Sequence, residues 1–124
     1  MINSSISAET IESAISWLAG FTEKPGEQGV TRPLYTKSWK QALFALRQRF
    51  EKLGMTVEFD QVGNLIATVE GCEKPESIIA CGSHIDTVSR GGRFDGQLGI
   101  VAAYLAIKNL LTRYGCLLYT SPSP

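Results

Sequence analysis

The 124 residues hold 12 Lys and Arg against 12 Asp and Glu, so the formal charge is zero and neither nucleic acid nor an anionic membrane surface is indicated as a partner. The length allows one small domain with a modest core, and no apolar run approaches the roughly 20 residues of a membrane span. The start, MINSSISAETIE, lacks a basic-then-apolar secretory pattern, which makes a cytoplasmic location the expectation.

Ser7 is placed to cap a first helix, with Glu9 in its first turn, where the helix dipole favours negative charge. Ile11, Ala14, Ile15 and Leu18 then recur at helical spacing as far as Gly20, and Trp17 beside that stripe reads as packing. Phe21 to Pro33 has two prolines, two glycines and no periodicity, and is a loop by composition. Ser38 and Gln41 form a Ser-x-x-Gln capping box for a second helix. Its apolar stripe is Trp39, Ala42, Leu43, Leu46, Phe50 and Leu53, its wet side is charged, and Gly54 suits the left-handed residue that ends it.

Met55 to Asp60 and Leu65 to Glu70 alternate on either side of Val62-Gly63-Asn64, which predicts an antiparallel hairpin. After a turn over 71–76, Ser77 to Cys81 (SIIAC) reads as a buried central strand, with Cys81 packed inside. Leu98 to Leu111 is apolar on nearly every side, as in a helix packed tightly on a sheet. The order helix, helix, strand, strand, strand, helix predicts an α/β fold whose mixed sheet has an antiparallel edge. Three scattered cysteines without CxxC spacing (Cys72, Cys81, Cys116) argue against a disulfide framework and a thiolate metal site.

The stretch from Gly82 to Gly99 carries the chemistry. It holds the chain's one histidine, His84, with Asp86, Asp95 and five glycines, at the strand end where open α/β folds place their sites. If the strand runs on through Asp86, period-two alternation puts His84 and Asp86 on one face. Asp86 can then fix the ring nitrogen that faces a metal, and Asp95 returns from a glycine-rich turn with a second carboxylate. One imidazole with carboxylates suits zinc, manganese, cobalt or nickel. The plainer alternative is a hydrogen-bonded loop end with no metal. The His-x-Asp register, and Asp-Gly opening an apolar helix, favour the metal.

GSHIDTVSRGGRFDGQLG resembles the first metal motif of the dinuclear metallohydrolases that include aminoacylases, and most closely that of the amidase/hydantoinase/carbamoylase group. GVTRPLYTKSW, from Gly29 to Trp39, is similar to the corresponding stretch of the allantoate amidohydrolases within that group. The likeness covers most of residues 10 to 115. It implies the N-terminal part of a zinc-peptidase-like, three-layer catalytic domain, with His84 a ligand of one metal, Asp95 a carboxylate bridging two, and Asp86 supporting the histidine. It implies two divalent ions, manganese foremost, and a cis peptide bond between Asp95 and Gly96. It also implies hydrolysis of a small ureido substrate, allantoate to ureidoglycine, ammonia and carbon dioxide, in a homodimer joined through a lid domain.

The neighbouring reading within the group is an N-carbamoyl-L-amino-acid hydrolase or β-ureidopropionase; a reading of another class is a non-catalytic α/β module. The resemblance places Phe21 to Pro33 near the active-site mouth, where Arg32 would face an anionic substrate. The family's glutamate pair, including its general base, and two later histidines have no counterpart here, since His84 is the one histidine. Cys116 to Pro124, CLLYTSPSP, breaks abruptly from the helix before it and resembles a translated sequencing adapter. Residues 1–115 are therefore expected to be an inactive fragment of the catalytic domain, and 116–124 a non-native tail.

Overall fold

The computed structural model describes residues 8–69 and 78–114. Three helices and a hairpin follow in the order α1 (Ala8–Ala19), α2 (Lys37–Lys52), β1 (Thr56–Phe59), β2 (Leu65–Thr68) and α3 (Gln97–Tyr114). Helix α1 turns Ala14, Ile15 and Leu18 inward, α2 adds Ala42, Leu43, Leu46 and Phe50, and α3 closes the core with Val101, Tyr104 and Leu105. The rings of Phe50 and Tyr104 meet edge to face at 5.5 Å, a geometry that aligns a positive ring edge with a negative face. Trp17 packs against this core, with the Arg49 guanidinium 3.7 Å above its ring. Ser7, the expected cap of α1, lies outside the described residues, as do Cys72 and the 116–124 tail.

The start of α2 corrects the expected capping box. Thr36 is the N-cap: its backbone is extended and its Oγ1 accepts a hydrogen bond from the Trp39 N–H. Ser38 instead lies in the first turn and is buried, and its N–H donates to Glu23 Oε2 at 2.7 Å. The helix is thus capped partly from the loop before it, and hydrogen bonding by Ser38 holds the Glu23 carboxyl below its usual range. At the other end Gly54 takes φ +89° directly after Leu53, as expected.

The hairpin pairs Thr56 with Thr68 and Phe59 with Leu65, antiparallel. Its turn is held by Asp60, whose Oδ1 accepts from the N–H groups of Val62 and Asn64. The predicted third strand does not form. Residues 78–88 form no regular element, so the sheet among the described residues is a two-stranded antiparallel ribbon rather than a mixed sheet. A strand exists by its ladder, and among the described residues no neighbouring strand offers one. Ile78 and Ile79 are accordingly 84% and 78% exposed, and Cys81 is exposed where burial was expected. The alternation does persist one turn later, where Ile85 is buried between the more open His84 and Asp86.

Loop 21–33 is closely tied despite its composition. Val30 and Gly91 exchange backbone hydrogen bonds of 2.9 and 2.8 Å, bringing this loop against the segment that bears His84 and Asp86.

Candidate metal centre

His84 directly precedes Ile85, which is buried in the core. Its Nδ1 is 2.9 Å from the main-chain oxygen of Asp86 and 3.4 Å from that residue's Oδ1. A carbonyl only accepts, so Nδ1 carries a proton, and in a neutral ring Nε2 then presents its lone pair. That lone pair looks toward Asp95 Oδ1 at 3.5 Å. The His84 and Asp95 side chains are 50% and 74% exposed, so this space is open to solvent.

Asp95 is delivered by the turn that opens α3. Its N–H donates to the Gly92 carbonyl, and the N–H groups of Leu98 and Ile100 donate to the carbonyls of Phe94 and Gly96. The described residues contain no cis peptide bond, so the Asp95–Gly96 linkage is trans, contrary to expectation. The reversal is made instead by Gly96 at φ +76°, a region that costs glycine little.

Two groups facing each other as a lone pair and a carboxylate oxygen repel unless a proton or a cation lies between them. Their 3.5 Å separation fits two donors each about 2.1 Å from a single ion. The residues present therefore fit a divalent cation, with His84 and Asp95 as donors and Asp86 behind the ring. Among the described residues no group of three or more His, Cys, Asp or Glu side chains surrounds that point.

Arg32 corrects another expectation. Rather than facing a substrate, it is fully buried, its guanidinium bound to main-chain carbonyls and to Gln97. Burial lowers its pKa from the usual arginine range to about 10, opposed by the charge of Asp86, and it stays cationic at neutral pH. Thr87 is a further residue that sequence reasoning passed over. Its Oγ1 donates to the Val30 carbonyl at 2.8 Å and accepts the Arg32 N–H at 2.9 Å. Its partners lie more than fifty positions away, so nothing local in the sequence marks it.

No family model matches the chain. Over 106 residues it is 42% identical to the allantoate amidohydrolase of Bacillus subtilis (strain 168), covering 86% of this chain and 26% of that protein. It is likewise 42% identical to the allantoate amidohydrolase of Escherichia coli (strain K12), over 90% of this chain and 27% of that protein. The N-carbamoyl-L-amino-acid amidohydrolase of Paenarthrobacter aurescens is 39% identical over 84% of this chain and 25% of that one. A solved hydantoinase/carbamoylase family amidase from Burkholderia ambifaria superposes with a TM-score of 0.78 at 32% identity, over 89% of this chain and 26% of the amidase. The chain is therefore homologous to a segment of the hydantoinase/carbamoylase-type amidohydrolases and has the fold of that segment, which spans about a quarter of their length.

Proposed function

We propose that this chain supplies the first part of the metal site in an enzyme that hydrolyses a linear ureido bond, with allantoate as the substrate. The observation that carries the reading is the convergence of His84 Nε2 and Asp95 Oδ1 at 3.5 Å, with Nδ1 held by Asp86. The identity to two allantoate amidohydrolases, three points above that to the N-carbamoyl-amino-acid enzyme, supports the choice of substrate. When bound, a pair of divalent ions (manganese first; zinc, cobalt or nickel also suit the donors) would provide a low-pKa water and polarise the ureido carbonyl.

In this reading His84 holds one ion through Nε2, and Asp86 keeps the imidazole in the Nδ1–H tautomer. Asp95 brings the negative charge that two neighbouring cations require. The general base and the remaining ligands belong to parts of the enzyme outside this chain, as does a lid through which two copies pair. A cytoplasmic location and a place in purine breakdown go with that substrate.

The test is a turnover assay on the full-length enzyme that carries this segment, stripped with a chelator and resupplied with Mn²⁺. Ammonia release from allantoate, lost on stripping, restored by Mn²⁺ and faster than release from N-carbamoyl amino acids, is the expected result. Preference for a carbamoyl amino acid would move the substrate to the neighbouring class. Activity indifferent to chelation would remove the metal reading altogether.

A further inference from the structure

Arg32 is the largest side chain among the described residues with essentially no exposure. Its guanidinium makes four hydrogen bonds, spread over three separate pieces of chain. Nε donates to the Ile85 carbonyl at 2.8 Å, and Nη1 to the carbonyls of Leu18 and Phe21, each at 2.7 Å. Nη2 donates to Gln97 Oε1, and Gln97 Nε2 in turn donates to the Arg93 carbonyl at 2.5 Å. The main chain of Arg32 adds a reciprocal pair with Thr87, its N–H to Oγ1 and its carbonyl from the Thr87 N–H, both at 2.9 Å.

Ile85 stands between His84 and Asp86, Thr87 follows Asp86, and Gln97 comes two residues after Asp95. One residue therefore grips both neighbours of Asp86 and the first residue of the helix that Asp95 opens. A buried cation is costly unless its donors are met, and here carbonyl and amide oxygens meet four of them while no carboxylate does. A flat guanidinium with fixed donor angles dictates how far apart its acceptors stand. The point charge of a lysine on a flexible stem does not.

We infer that Arg32 is a positioning residue of the metal site: its guanidinium sets the gap between His84 and Asp95, and so the affinity of the site for a divalent cation. This rests on the metal-dependent reading above. The guanidinium is buried and reaches the site through the backbone at 85 and the side chain at 97, with the main chain of Arg32 adding the link to Thr87. Ligand distances must hold within about 0.2 Å for a workable site, so a slackened link is felt as lost affinity.

The experiment uses the full-length enzyme carrying this segment, stripped of metal. Arg32→Lys keeps the charge and loses the fork; Gln97→Leu keeps Arg32 and removes one arm. Calorimetric titration with Mn²⁺ and thermal unfolding are measured on each, together with the KM for allantoate. Arg32→Lys is expected to weaken Mn²⁺ binding by about tenfold to a hundredfold, the range for groups that orient ligands. Gln97→Leu should shift it less in the same direction, with KM unmoved in both. If unfolding temperature falls while Mn²⁺ affinity stays at the wild-type value, Arg32 is a structural brace and the inference is overturned. If Arg32→Lys does not fold, Gln97→Leu decides alone, and wild-type affinity there overturns it. A wild-type enzyme that takes up no Mn²⁺ defeats the metal reading itself, a result distinct from metal uptake unaffected by either substitution.

Discussion

Gly96 lies against the imidazole of His84 so closely that a Cβ on residue 96 would stand 2.6 Å from both Nδ1 and Cε1. The same atom would strike the His84 carbonyl oxygen. The ring is thus fenced on one side by Asp86 and on another by the bare α-carbon of the residue following Asp95. The segment bearing one donor shapes the slot for the other.

Gly96→Ala is therefore expected to fail twice, through its left-handed backbone and through the collision. The backbone part alone costs more than about 1 kcal/mol. Gly26 provides the control, since its φ is also positive, at 89°, but it has nothing within 4 Å of a Cβ. Denaturant unfolding should show Gly26→Ala losing only the backbone part. Gly96→Ala should lose more and also weaken Mn²⁺ uptake. Equal losses from the two substitutions would mean that the contact with His84 is soft.

The two carboxylates should differ in weight. Asp86 meets Nδ1 chiefly through its main-chain oxygen at 2.9 Å, its carboxylate standing farther off at 3.4 Å. Asp86→Asn leaves the nearer contact in place, so metal affinity should fall by no more than about tenfold. Asp95→Asn removes the charge opposite Nε2, and its loss should be much the larger. Titration of both variants with Mn²⁺ checks the order, and the reverse order would reassign the donor.

The hairpin, the extent of α2 and the meeting of His84 with Asp86 were legible in the sequence because each depends on neighbours a few positions apart. Gly54 ended its helix and Gly63 lay in its turn for the same local reason. What could not be read was whatever joined distant segments. SIIAC has the composition of a buried strand, yet burial and a ladder both need partners, and Ile78 and Ile79 stand exposed without them. The resemblance of residues 29–39 led to the expectation that Arg32 faces a substrate, whereas it is buried. Its acceptors, Leu18, Phe21, Ile85 and Gln97, lie up to 65 positions away. Thr36 rather than Ser38 caps α2, and the Ser38 N–H is met by Glu23, fifteen residues earlier.

A further long-range link carries a pH signature. Arg93 grips both carboxylate oxygens of Glu12, at 2.5 and 3.1 Å, tying α1 to the turn that delivers Asp95. Hydrogen bonding from Arg93 holds the Glu12 carboxyl below its ordinary 4.5, and Glu12 raises Arg93 in return. Because the folded carboxyl is the stronger acid, its stabilisation is fully present above 4.5 and is lost as pH falls through the lowered value. Both groups are open to water, so the effect should be small and weaken with salt. Glu12→Gln is expected to lower the unfolding midpoint at neutral pH and to converge with wild type in acid. A gap that persists in acid would show that the charge is not what matters.

Leu18 separates core stability from site geometry. Its side chain is completely buried among α1, α2 and α3, while its carbonyl accepts from Arg32 Nη1 at 2.7 Å. Leu18→Ala removes the side chain and leaves that carbonyl in the chain. The cavity and the lost transfer energy should together cost about 2–5 kcal/mol, the range for deleting a buried leucine. The guanidinium keeps its acceptors, so the distance between His84 and Asp95 should hold in whatever fraction stays folded. Unfolding in denaturant should therefore show a large loss, and Mn²⁺ titration of the full-length variant at low temperature a wild-type affinity. If affinity falls in step with stability, the site depends on general core tightness rather than on the hydrogen bonds of Arg32.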